Sequence, residues 1–130
     1  MSNKISDSAV IDALRRQMTI AVAKQVASSG NLANVDTPGY KAKEVTFSDA
    51  LKSKLAPATN STFPSGRSAS SAIDIATKDA EGLPARRDGN NVSLDRELLN
   101  MGKAAGDFSA AQTALAAKFR LVRYAINEGK

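Results

Sequence analysis

Apolar residues spaced three and four apart dominate the two ends of the chain. In the first segment, from Asp7 to Ser29, they are Ile11, Leu14, Met18, Val22 and Val26. That period belongs to an amphipathic helix. Asp7 or Ser8 can cap its start, and Gly30-Asn31 is a plausible stop.

The last segment carries the stronger pattern. Leu94, Met101, Phe108, Leu115 and Val122 recur every seven residues, as do Leu98, Ala105, Gln112, Phe119 and Ile126 four positions on, and only Gln112 among these is polar. A heptad sustained this long predicts a helix with a coiled-coil-like seam. Ser93 or Asp95 can serve its N-terminal end, while Lys118, Arg120 and Arg123 lie toward the end where the helix dipole favours cations. A helix over 94–127 would be roughly 50 Å long. A compact chain of this size is only about 36 Å across. The helix therefore overshoots any globule this chain can make, and the shorter first helix covers only part of it. Two readings follow. One is an intramolecular helical hairpin with frayed ends. The other is a subunit whose helices finish packing only in an assembly.

Between the helices the periodicity breaks. Pro38-Gly39 fits the two central positions of a type II turn, because glycine tolerates the positive φ required at the second. Val45 and Phe47 alternate with polar neighbours, as do Ile73 and Ile75, which predicts two short strands. Ser48 can cap a brief helical stretch carrying Leu51 and Leu55. Residues 56–72, rich in Ser, Ala, Thr, Pro and Gly, predict a mobile loop. Arg87-Asp88-Gly89-Asn90-Asn91 reads as a polar turn. The expected fold is thus mainly α, with long N- and C-terminal helices packed as a coiled-coil-like pair around a central irregular region containing short β-strands. The expected divisions are 1–35, 36–92 and 93–130, the first and last forming one structural unit.

Composition removes most catalytic chemistry. The 130 residues include no His and no Cys, so there is no imidazole base, no thiolate and no disulfide. Asp74, Asp79, Glu81 and Asp88 match no metal loop and no acid–base pair, and no Walker-type or dinucleotide glycine motif is present. No catalytic residue, cofactor site or metal site is expected. The net charge of +5 is mild. Arg15, Arg16, Lys24, Lys41 and Lys43 are too dispersed for the dense, aromatic-interleaved stripe of a nucleic-acid reader. No run of 18 apolar residues exists, and Met1 to Asp7 lacks the apolar core of a cleaved secretory signal. A route out of the cytoplasm, if taken, is expected to need no such signal.

One segment stands apart: Gly30-Asn31-Leu32-Ala33-Asn34-Val35-Asp36-Thr37-Pro38-Gly39-Tyr40-Lys41-Ala42. It resembles the signature of flagellar rod, hook and related axial proteins, where a helix ends in an Asn-hydrophobic-Ala-Asn stretch followed by a turn and an aromatic. The Asp-Thr-Pro-Gly-Tyr-Lys-Ala form is most similar to the FlgB (proximal rod) family. Arg87-Asp88-Gly89-Asn90-Asn91-Val92 with Leu94-Asp95-Arg96-Glu97 resembles the segment before the C-terminal helix of that family, which often carries an acidic residue where this chain has Ser93.

The resemblance implies a non-enzymatic structural subunit of the bacterial flagellar basal body. Such a subunit assembles helically in the periplasmic rod, transmits torque for motility and leaves the cytoplasm by type III export. It implies self-association, and contacts with other rod subunits, the rod base at the membrane ring and the export apparatus, without nucleic acid or small-molecule substrate. It marks Asn31, Leu32, Ala33, Asn34, Asp36, Thr37, Pro38, Gly39 and Tyr40 as an assembly junction. The helix-packing seam is expected along Ile11, Leu14, Met18, Val22, Leu94, Leu98, Met101, Phe108, Leu115, Phe119, Val122 and Ile126. The rivals are a different axial subunit and, far behind, a small basic nucleic-acid-binding protein.

Overall fold

A computed structural model describes residues 7–47 and 75–127. The short helical stretch with Leu51 and Leu55, the Ser-rich 56–72 segment and Ile73 lie outside the described residues. Helix α1 runs Asp7–Ala33, strand β1 Lys43–Phe47, strand β2 Ile75–Asp79 and helix α2 Leu94–Asn127. The two helices pack along each other, and the strands form a two-stranded antiparallel sheet. At 1.5 Å per residue α2 is about 51 Å long and α1 about 40 Å, so the mismatch in length expected from the heptads is real.

The helices run antiparallel. Lys118 Nζ, far along α2, lies 2.7 Å from Asp7 Oδ1 at the start of α1. At the other end the two helices meet the loops that join them to the sheet. Ser93 begins α2, its carbonyl accepting from the Glu97 N–H at 3.0 Å. The α1 stop differs from expectation: the helix continues through Gly30 and Asn31 to Ala33. The reason lies in where the Asn side chains bond. Asn31 reaches across to β1 instead of capping its own helix. It is Asn34 that closes the end, its Nδ2 donating to the Gly30 carbonyl at 2.9 Å. Two tightened bonds, Asn34 N–H to Asn31 O and Val35 N–H to Leu32 O, finish the last turn.

Strand pairing sets Lys43 opposite Asp79, Glu44 opposite Lys78 and Val45 opposite Thr77. Opposite charges face each other in the first two pairs. Such pairs stabilise a register by a few tenths of a kcal/mol to about 1 kcal/mol each. Beyond the strands, the Ala80 N–H donates to the Ala42 carbonyl at 2.8 Å. Ala42, Ala80 and Val92 are buried there, with Val35, Tyr40 and Leu83 packed around them. This small core lies where the loops from both helices meet.

Gly102 and Gly106 sit on the exposed side of α2, and a methyl group at either would meet nothing within 4 Å. Neither is required by the packing of this chain. Each costs about 1 kcal/mol relative to Ala in a helix interior. Changing both to Ala should therefore raise the unfolding free energy by about 2 kcal/mol, read as a higher urea midpoint at unchanged slope. A lower midpoint would mean that α2 is not a continuous helix in solution.

Candidate assembly junction

Two tight turns form the junction. In the first, Thr37 to Tyr40, Pro38 pre-sets its own φ and Gly39 takes φ +74°. The turn closes with the Tyr40 N–H on the Thr37 carbonyl at 3.2 Å. In the second, Arg86 to Gly89, the Gly89 N–H bonds the Arg86 carbonyl at 2.9 Å and Gly89 takes φ +84°. Asp88 Oδ1 then accepts from the Asn90 N–H at 3.0 Å, an Asx turn. The turns lie against each other: the Gly39 N–H donates to the Asp88 carbonyl at 2.9 Å. A Cβ on Gly89 would stand 3.5 Å from the Gly39 Cα.

Three buried asparagines and an arginine tie this pair of turns to both helices. Asn90 is completely buried. Its Nδ2 donates to the carbonyls of Asn34, Val35 and Thr37 at 3.0, 3.1 and 2.8 Å, and its Oδ1 accepts from the Val92 N–H at 2.8 Å. An amide has only two N–H bonds, so one is shared between two carbonyls. Asn31, 1% exposed, behaves as a missing strand: its Nδ2 donates to the Lys43 carbonyl at 2.8 Å and its Oδ1 accepts from the Lys43 N–H at 2.7 Å. The Tyr40 hydroxyl donates to the same oxygen at 3.3 Å. Asn91 Oδ1 takes the Ala42 N–H at 2.6 Å. Finally, the Arg86 guanidinium donates to the Val35 carbonyl at 3.1 Å and the Val92 carbonyl at 3.2 Å. It thus bridges the residues just past α1 and just before α2.

Beside this network Lys43 Nζ bonds Asp79 Oδ1, and that hydrogen bond and charge hold the ammonium above its ordinary pKa. A raised cation pKa adds stability that is lost only as pH rises through the folded value. Near neutrality the pair is therefore insensitive to pH.

The predicted junction residues divide by role. Asn31, Asn34, Thr37, Gly39 and Tyr40 all belong to the bonded network. Asp36 and Pro38 are exposed at the turn, Ala33 is exposed and Leu32 half-buried. Sequence reading missed the weight of Arg86, Asn90 and Asn91, taking 87–91 for a polar turn. The run of Asp, Gly and two Asn was the available signal. Nothing in a single sequence says that such a turn will be buried under a second one.

The helix pair takes only part of the expected seam. On α2 the fully buried positions are Glu97, Ala104 and Ala111, each one residue before a member of the row that begins at Leu98. Met101, Phe108 and Leu115 flank that row half-buried, as do Ile11, Leu14 and Met18 on α1. Val22, Leu94, Leu98, Phe119, Val122 and Ile126 are exposed in this chain. The physical reason is the small size of Ala21, Ala104 and Ala111, which allows close approach along an alanine row and turns Leu98, Phe119 and Ile126 outward. Among the described residues, Glu97 Oε2 and Arg96 Nη1 are buried without a hydrogen-bond partner.

No family model matches the chain. Curated relatives do. The chain is 25% identical to the flagellar basal body rod protein FlgB of Bacillus subtilis, an alignment covering 95% of this chain and 97% of that one. Identity to the FlgB proteins of Yersinia enterocolitica and Escherichia coli is 25% and 24%, covering 86% of this chain and 89% and 88% of theirs. Matches over nearly the whole length of both partners necessarily take in the helices and the junction together. Over nearly its whole length the chain is similar to FlgB proteins of the flagellar basal body rod. In this chain the two motifs that carried the resemblance, 30–42 and 87–97, meet in space as the halves of one hydrogen-bonded unit.

Proposed function

We propose that this chain is a structural subunit of the flagellar basal-body rod, acting by self-association and by contact with other rod subunits, and not by catalysis. Its neighbours would include the rod base at the membrane ring and, during export, the type III apparatus. The site is the periplasmic rod, reached without a cleaved signal. In this reading 1–35 and 93–130 form the packing unit and 36–92 lies outside or between helical layers. A heterologous contact repeated without closure makes a helical filament, and many such contacts let it carry torque.

The observation that carries the reading, beside the similarity, is the apolar surface left on α2. Past the Asp7–Lys118 ion pair, residues 119–127 extend about 14 Å, and Phe119, Leu121, Val122, Tyr124 and Ile126 are all exposed there. Large apolar side chains gathered on one exposed element mark an interaction surface. Ile126 is 70% exposed, so Ile126→Asp leaves the chain's own packing untouched. A carboxylate buried unpaired at a subunit contact costs several kcal/mol, and each ~1.4 kcal/mol is about tenfold in association. Recovery of complete basal bodies from cells expressing Ile126→Asp should fall about tenfold or more, at unchanged helix content of the purified chain. Normal recovery, or absence of the unaltered protein from purified basal bodies, refutes the reading.

A further inference from the structure

We propose that the junction sets the register of the helical hairpin, which the helix seam by itself leaves open. The buried row on α2, Glu97, Ala104 and Ala111, repeats every seven residues and leads to the half-buried Lys118. Counting in sevens from the Asp7–Lys118 pair places Leu14 level with Ala111, Ala21 with Ala104 and Ser28 with Glu97. Ala21 and Ala104 are each 1% exposed, Ser28 5%. A seam built of such repeats accepts a slide of one heptad, about 10 Å, nearly as well as the observed fit.

One slipped register has apolar packing in its favour. Moving α2 so that Ala111 comes level with Ala21 carries Val122 and Ala125 against α1. It also lifts Glu97, with its unpartnered carboxylate oxygen, out of the helix pair. The observed register keeps that carboxylate buried and leaves Val122 exposed. Something outside the seam therefore opposes the slide. The ion pair at Lys118 is exposed on the Asp7 side, 69% for that side chain, and an exposed pair contributes little. The junction, among the described residues, ties the end of α1 to the start of α2. Arg86 holds Val35 and Val92 on one guanidinium, and Asn90 holds the chain on both sides of it. Val35 is two residues past α1 and Val92 two before α2, so a slide cannot occur without tearing the network. Because the register decides which part of α2 reaches beyond α1, the junction acts at a distance on the surface proposed above for assembly. The register claim itself concerns the isolated chain and stands whether or not that surface packs in a rod.

The chain contains no Cys, so paired cysteines report register cleanly. Ala21→Cys with Ala104→Cys reports the observed register, and Ala21→Cys with Ala111→Cys the slipped one. Dilute chain is treated with a short thiol-bridging reagent, and intrachain bridges are counted by mass spectrometry. With the junction intact only the first pair should bridge. An insertion of Gly-Ser-Gly-Ser-Gly between Val92 and Ser93 leaves every junction hydrogen bond in place but adds about 17 Å of slack, more than the slide requires. In that chain the slipped pair should bridge at a yield comparable with the first. Arg86→Ala, which alters one side chain without lengthening the connection, should raise the slipped yield to an intermediate level, whereas Lys118→Ala should leave it at background. The proposal is overturned if the slipped pair stays at background in the inserted chain, or if Lys118→Ala alone releases it. It is also overturned if both pairs stop bridging on insertion, since the junction would then hold the helices together and not choose between registers.

Discussion

Leu115→Asp should lower the unfolding free energy of the chain by about 2–4 kcal/mol and abolish swarming. Leu115 is half-buried in the α1–α2 contact. It lies on the row with Met101 and Phe108 that flanks the buried alanines. The substitution loses leucine's apolar contacts and forces a carboxylate either to desolvate or to push the helices apart. Lys118, one turn further along α2, is already held by Asp7 at 2.7 Å. The control is Lys103→Asp, since Lys103 is exposed on the same helix. Exposed substitutions of that kind stay within about 0.5 kcal/mol. Thermal unfolding followed by circular dichroism, with swarm diameter at matched export levels, separates the two. The contrast with Ile126→Asp is informative. Leu115 acts within the chain and Ile126 beyond it, so the first should lose both folding stability and motility, the second motility alone. Equal losses of stability for Leu115→Asp and Lys103→Asp would place the helix contact elsewhere.

Asn90→Ala should be the most damaging single truncation in the junction, lowering the unfolding free energy by about 3–4 kcal/mol. Asn90 has no solvent exposure, and its loss strands the carbonyls of Asn34, Val35 and Thr37 together with the Val92 N–H. A buried polar group left unpaired costs about 1–3 kcal/mol, and water entering the space left by the amide recovers part of the sum. Asn91→Ala strands only the Ala42 N–H, so its cost should be about 1–2 kcal/mol. Urea unfolding orders the two. Amide hydrogen exchange gives the local signature: Asn90→Ala should release protection at Val92, and Asn91→Ala at Ala42. Equal midpoints, with Val92 still protected in Asn90→Ala, would show that the asparagine is an ornament of the turn and not its anchor.

The register of the hairpin also bears on how the rod surface is specified. A heptad seam made of alanine is forgiving, and forgiving seams need an external reference. Here the reference is polar and sits at one end. Hydrogen bonds with fixed donors and acceptors admit one arrangement, whereas apolar contacts repeating every seven residues admit several. That division of labour also accounts for Glu97. A carboxylate only 2% exposed is a poor choice for stability alone, and it is retained in a register that the junction imposes.

Local physics alone determined much of this protein. The periods of three and four along 7–29 and 94–126 specified two helices. The absence of His and Cys removed their chemistry, and Pro38-Gly39 specified a turn that the structure forms with Gly39 at φ +74°. These features depend on neighbours a few residues apart, and such neighbours are present in any one sequence. The outcome was different wherever a contact joined distant residues. Gly30-Asn31 looked like a helix stop because local rules read Asn as a cap. In the fold its amide is engaged by Lys43, twelve residues on, and the helix runs to Ala33. The heptad pattern marked a broad apolar stripe on α2, but α1 chose which edge of it to cover. The alanine edge won because small side chains let the backbones approach. Asn90 and Arg86 were indistinguishable from solvated turn residues until Asn34, Val35 and Thr37 came up against them from more than fifty positions away. Burial of a polar side chain is a property of what surrounds it, and only the tertiary structure supplies the surroundings.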